Sequence, residues 1–246
     1  ARHYAREFGG EAVIGLAGRN RERLEAVAVS LAPASGAIYL FDVTDHRSLQ
    51  AAAQDFVSRF GAPDLVFANA GISVGTRGEE AVDLVELVDI LNVNVTALAA
   101  TLQSFAAPMR SAGRGVLVGI ASVAGFRGFP GSGAYSASKA AAIKWLEALR
   151  IELRGSGVRV VTACPGYIAT PMTEHNGFNM PFMLSADEAA RRIARAVDSG
   201  RRLVVVPWQM RWVSWLLLAL PGWLFDRTFA RAPRKRPQRH GSKRHL

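Results

Sequence analysis

Short apolar runs alternate with stretches of helical periodicity along most of this chain. The runs fall at 12–17, 37–41, 64–68, 115–121, 158–163 and 203–206, and each reads as a strand. Between them lie patterns that predict helices over 21–31, 45–60, 81–110, 134–154 and 185–199. Asn20 and Asp45 stand where helix caps belong, Gly61 and Gly200 follow helix ends, and Ser185 with Glu188 spells a capping box. Residues 1–8 read as the last turns of a further helix, ended by Gly9-Gly10. Continuous apolar strands separated by helices predict a doubly wound parallel sheet with helices on both faces, a Rossmann-type three-layer α/β/α fold. In such a sheet, function lies at the carboxyl ends of the strands.

Composition narrows the classes. Half of the 246 residues are hydrophobic, which permits a large core. The single cysteine, Cys164, excludes a disulfide framework and a multi-thiolate metal site. His3, His46, His175, His240 and His245 are scattered without metal-ligand spacing, so no metal is expected. The net charge of +10 is not spread over the chain. Residues 227–246 hold eight arginines and lysines and no acid, which leaves +2 for residues 1–226. The expected organisation is a Rossmann-type domain over 1–207, a Trp/Leu-rich segment over 208–226 and a disordered basic tail over 227–246.

Polar and glycine signals recur at the strand ends. They are Gly18-Arg19-Asn20, Asp42-Val43, Asn69-Ala70-Gly71, Ser122, and Pro165-Gly166 with Ile168 and Thr170 following. Thirteen residues after Ser122 comes Tyr135-Ser-Ala-Ser-Lys139, at the start of a long helix. In this order and spacing the set resembles the short-chain dehydrogenase/reductase family over roughly residues 1–207. A phenol that exchanges a proton near neutral pH needs help, because free tyrosine titrates near 10. A lysine one helical turn away lies on the same face and favours the phenolate. The resemblance implies Tyr135 as general acid/base, Lys139 as its tuner and a ribose ligand, and Ser122 as the group that orients the carbonyl or alcohol. It also implies an asparagine on the helix before the Ser122 strand that anchors a relay water. Asn92 and Asn94 both qualify; their spacing to Pro108-Met109 favours Asn94.

The implied cofactor is a nicotinamide dinucleotide. Gly18 stands where an NAD-selective acid would, and Arg19 follows it, so NADP(H) is expected in preference to NAD(H). By the same resemblance Asp42 and Val43 contact adenine, Asn69, Ala70 and Gly71 line the cofactor trough, and Pro165, Gly166, Ile168 and Thr170 meet the nicotinamide carboxamide. The family's TGxxxGxG loop is not in the sequence. The expectation is a chain lacking its first strand and glycine-rich loop, a fragment of a longer enzyme.

Met172, Phe178, Met180, Phe182 and Met183 suit a lipophilic small-molecule substrate. Beyond Pro207, Trp208, Trp212, Trp215 and Trp223 cluster with Leu216-Leu217-Leu218. The uncharged run 212–225 is 14 residues, short of the roughly 20 that a spanning helix needs. With the basic tail it predicts peripheral contact with an anionic membrane through 208–246; the competing reading is an arm packed over the substrate pocket or a subunit interface. No nucleic-acid partner is expected. A homodimer or homotetramer follows from the resemblance, and the expected location is the cytoplasm or, through 208–246, the cytoplasmic face of a membrane. The expected activity interconverts a carbonyl and a secondary alcohol; the alternative is a noncatalytic dinucleotide-fold scaffold.

Overall fold

Every strand pair in the structure, a computed structural model that describes residues 1–174 and 179–230, is parallel. Parallel strands need crossover connections, and the helices supply them. After α1 (Arg2–Phe8), the order is β1 (Val13–Gly18), α2 (Arg21–Val29), β2 (Ser35–Leu40), α3 (His46–Phe60) and β3 (Leu65–Ala68). Then follow α4 (Leu84–Leu91), a π turn at Asn92–Thr96, α5 (Ala97–Ser111), β4 (Gly115–Ile120), α6 (Gly133–Glu152) and β5 (Val158–Pro165). The chain continues through β6 (Ile168–Ala169), β7 (Leu184–Ser185), α7 (Ala186–Asp198) and β8 (Leu203–Val206) to α8 (Trp208–Ala219) and α9 (Gly222–Phe229). The expected parallel α/β architecture is therefore present.

The predicted caps act as hydrogen-bond acceptors. Asn20 accepts from Arg23 N, and Asp45 from Arg47 N and Ser48 N. Ser185 accepts from Glu188 N, but Glu188 does not close the capping box. Its carboxylate pairs instead with Arg191 and Arg192, because two guanidinium groups outbid one backbone amide.

The core divides across the sheet. Leu102, Met109, Leu117, Leu146 and Val160 bury one face under α5 and α6. Val118, Val161, Ile193, Val197 and Val204 bury the other under α7. The contiguous helical stretch Ala81–Ser111 is long and apolar enough, by length and composition, to cross a bilayer. It packs on the sheet here, with Leu98, Leu102 and Met109 in the core.

The strands form two hydrogen-bonded groups, β1-β2 and β3-β4-β5-β8, beside the short pair β6-β7. β1 was expected to be buried; none of its residues is, and Val13 is 41% exposed. The reason is that β1 pairs only with β2 among the described residues. A cavity of about 750 Å³ lies between the two groups, lined by Gly15, Leu16 and Ala17 of β1 and by Leu65, Val66, Phe67 and Ala68 of β3.

The apolar run near the C-terminus is not one helix. Pro221 divides it into α8 and α9, and Arg127 holds the junction through Leu220 O at 2.7 Å. α9 continues to Phe229, so Arg227 and Thr228 are helical where a tail was expected. Phe178 and residues 231–246 lie outside the described residues.

Candidate active site

Three backbone features converge on one pocket at the carboxyl ends of β3, β4 and β5. The first is the end of β4. Ser122 leaves the strand with an extended backbone and caps the turn Val123–Gly125, its Oγ accepting from Ala124 N at 3.2 Å. The same Oγ donates to Pro165 O at 3.4 Å, which ties the ends of β4 and β5 together.

The second is the start of α6. Tyr135 and Lys139 lie one turn apart on the face that packs toward β4. Lys139 is 3% exposed, and its Nζ donates to Ile120 O at 2.8 Å. α6 comes this close because the turn after Ser122 has no side chain at Gly125. A Cβ there would sit 2.7 Å from the Lys139 carbonyl carbon and 2.9 Å from Ala140 N.

The third is the π turn. One extra residue per turn swings Asn94 inward. Its side chain is fully buried, whereas Asn92 is exposed, so the structure separates the two candidates. Asn94 Oδ1 accepts from Ile72 N at 2.9 Å. Its Nδ2 donates to Ile72 O at 2.9 Å and to Ser138 Oγ at 3.0 Å. Asn94 thereby pins the chain just after Asn69-Ala70-Gly71. A Cβ on Gly71 would stand 3.2 Å from Asn94 Oδ1 and 3.5 Å from Lys139 Nζ.

The electrostatics differ from the expected pattern in one respect. Burial raises the pKa of Tyr135, and its hydrogen bond with the Ser122 side chain opposes that shift. Burial also pushes Lys139 down to about 8. The lysine was expected to draw the phenol down. Its ammonium instead lies 5.9 Å from the Tyr135 ring centroid and donates to a backbone carbonyl. Desolvation acts on both groups and favours both neutral forms. A tyrosine held as the phenol is a proton donor. Cys164, fully buried nearby, is pushed up to about 12 by burial and stays a thiol.

Tyr135, Ser122 and Lys139 line a pocket of about 920 Å³, joined by Asn69, Ala70, Gly71, Pro165, Gly166, Ile168 and Thr170. Asn69, Ala70, Ile120, Pro165, Ile168 and Thr170 also line the cavity beside β1, so the two spaces meet along the strand ends. Val43 lines only the latter. Arg19 and Asp42 lie at the ends of β1 and β2, outside both linings, and pair with each other at 3.2 Å. Burial pulls the Asp42 carboxyl up, but bonds from Thr44 and the Arg19 charge hold it below the usual carboxylate range. The sequence reading did not pick out Phe129, Met210, Val213 and Phe229, which wall the pocket together with Leu217. No local motif marks them, since the α8–α9 arm reaches the site only through folding. Met172 also lines the pocket; Met180, Phe182 and Met183 do not.

A parallel α/β sheet carrying this serine, tyrosine and lysine at its strand ends defines a class, the NAD(P)-dependent oxidoreductases. The family model for short chain dehydrogenases matches residues 1–179. The chain belongs to that family. It is 37% identical over 206 residues to an uncharacterized oxidoreductase of Myxococcus xanthus, covering 84% of this chain and 79% of the relative. It is 36% identical over 154 residues to a 3-alpha-(or 20-beta)-hydroxysteroid dehydrogenase of Mycobacterium tuberculosis, covering 62% and 58% of the two chains. Among solved structures, a short chain dehydrogenase of Burkholderia cenocepacia in complex with NADP superposes with a TM-score of 0.73 at 26% identity. That match covers 86% of this chain and 84% of the other. The protein is thus an oxidoreductase that interconverts carbonyl and alcohol groups with NAD(P), and the scaffold alternative gives way.

Proposed function

We propose that the protein is an NADP(H)-dependent reductase or dehydrogenase of lipophilic carbonyls and secondary alcohols, with Tyr135 as the proton-transfer group. The observation that carries this reading is the convergence of Ser122, Tyr135 and Lys139 on one largely apolar pocket.

The trough fits the nicotinamide end of the cofactor. At Gly71 a side chain would crowd Asn94 and Lys139, and glycine leaves that room open. Asn69, Ala70, Gly71, Pro165, Gly166, Ile168 and Thr170 would hold that end, with Lys139 on the ribose. Asp42 and Val43 would meet the adenine and Arg19 a 2′-phosphate. The bound cofactor supplies or accepts the hydride. Ser122 holds the substrate oxygen beside Tyr135. Tyr135 donates its phenolic proton to that oxygen in reduction and takes it back in oxidation. Lys139, charged below about pH 8, stabilises the transient phenolate. Asn94 holds the trough backbone at Ile72 and would anchor a relay water. Tyr135→Phe should abolish NADPH-dependent carbonyl reduction while leaving the fold intact by circular dichroism. Retained turnover across a broad carbonyl panel would refute the assignment.

Among the described residues β1 and β3 each pair along one edge, and these edges with the cavity between them support one further parallel strand, carrying a glycine-rich loop for the pyrophosphate. If so, a chain extended to include such a strand gains amide-exchange protection in both edge strands.

The outer face of the C-terminal arm supports contact with an anionic bilayer. Trp208, Trp212, Trp215, Leu216, Leu218 and Trp223 are exposed together. Arg211 is exposed beside them, and the basic residues of 227–246 follow in the chain. Interfacial tryptophans next to cations suit a lipid headgroup layer. A second copy would bring the same cations together and is disfavoured at this face. It fits better at α4, where Leu84, Val85 and Val88 are exposed, and a homodimer or homotetramer is proposed through α4, α5 and α6. The location proposed is the cytoplasm, at the cytoplasmic face of a membrane. Trp212→Glu/Trp215→Glu should release the protein from anionic vesicles, and undiminished binding would refute the contact.

A further inference from the structure

Arg127 and Phe129, both in the loop that follows Ser122, reach the C-terminal arm. Arg127 Nη2 donates to Leu220 O at 2.7 Å. Leu220 closes α8, so the guanidinium meets a carbonyl at the negative end of a helix. The Arg127 guanidinium carbon also lies 4.5 Å from the centroid of the Phe225 ring. Phe225 stacks on Phe229 at 4.5 Å, and both rings meet Phe129, at 6.0 and 5.6 Å. Phe129 and Phe229 line the substrate pocket with Tyr135.

The arm is therefore a wall of the pocket, tied to the loop after Ser122 through Arg127 and Phe129. Its outer face is exposed, and its inner face looks onto the space above Ser122 and Tyr135. We propose that Arg127 is a positioning residue for specificity: it latches the α8–α9 arm over the pocket and so sets the affinity for bulky apolar substrates, while small carbonyls need no such wall. This rests on the reading of the pocket as a site for lipophilic carbonyls and alcohols.

The test uses Arg127→Met, which removes the donor and the charge, and Arg127→Lys, which keeps the charge without the planar fork. Phe225→Leu removes the ring alone and serves as a second variant should Arg127→Met fail to fold. Amide exchange over residues 208–229 should quicken at least about tenfold in Arg127→Met and less in Arg127→Lys. Binding of a bulky apolar secondary alcohol, read by displacement of anilinonaphthalene sulfonate, should weaken about tenfold and recover in part in Arg127→Lys. With active enzyme, KM for a bulky ketone should rise about tenfold, while kcat and KM for a small ketone stay within about twofold. Unchanged arm exchange, or equal losses for bulky and small ligands, overturns the latch. Absence of turnover with every carbonyl, combined with the expected exchange and displacement results, overturns the reductase reading and leaves the latch standing.

Discussion

Replacing Lys139 with methionine should stabilise the fold near neutral pH while abolishing activity, and the stability effect should vanish with rising pH. Lys139 is buried and its pKa falls, chiefly by desolvation, from 10.5 to about 8. Between these two values the unfolded chain binds a proton that the folded chain has released. Wild-type stability therefore rises with pH across that window, and below it the whole cost of burying the ammonium is present. At about 1.36 kcal/mol per pKa unit, that cost is about 3 kcal/mol. Methionine has a similar length and no charge to bury. It leaves Ile120 O without the donor it now has at 2.8 Å, a loss of about 1–2 kcal/mol. The net expectation is a variant more stable by about 1–2 kcal/mol at about pH 7.5. Between about pH 7.5 and pH 9.5 the wild type should gain about 2 kcal/mol on the variant. Cys164, raised to about 12, and Tyr135, also raised, titrate in both proteins and largely cancel in the difference. Urea unfolding of both proteins at the two pH values reads the effect. Parallel pH dependences would refute the claim that Lys139 is held against its charged form.

Two further outcomes follow from the same geometry. Gly125→Ala drives a methyl against the backbone of α6 at Lys139 and Ala140, which has no flexible end to yield. It should cost about 1–3 kcal/mol in thermal or urea unfolding and lower kcat by displacing Tyr135 and Lys139; a neutral result would mean that the turn and helix are not rigidly apposed. Arg19→Ala should raise KM for NADPH far more than for NADH. It should also let the Asp42 carboxyl titrate higher, since its partner at 3.2 Å is gone. Equal effects on the two cofactors would remove Arg19 from the 2′-phosphate.

Much of the fold was legible because parallel strands buried on both faces read as unbroken apolar runs, and the run at 203–206 coincides with β8. β1 and β2 were the exceptions, with no buried residue in either. An apolar run reports a capacity for burial, and whether neighbours are present on both edges is a property of the assembled sheet. The expected capping box failed for a similar reason, since the reach of Glu188 to two arginines depends on rotamers that no motif encodes.

The candidate site divides along the same line. Ser122, Tyr135 and Lys139 could be read as a set because a strand end and one helical turn are local geometries. Spacing to Pro108-Met109 already favoured Asn94 over Asn92, but its inward turn comes from the π turn, which changes the angular step and cannot be read from helical period. The pairing of Arg19 with Asp42 required β1 and β2 in register, Gly18 opposite Leu40.

By itself, the sequence determined the alternation of elements, the parallel sheet, the family and the grouping of Ser122, Tyr135 and Lys139 as one candidate set. These depend on periodicity and on spacings within single elements. Tertiary structure alone decided the direction of the Tyr135 and Lys139 shifts, because desolvation is set by everything packed around a group rather than by its neighbour four residues away. It also placed the inner face of the C-terminal arm, for which a membrane surface and a cover over the pocket were both weighed, as a wall of the pocket. Contacts such as Arg127 with Leu220, 93 residues apart, exist only once the chain has closed on itself.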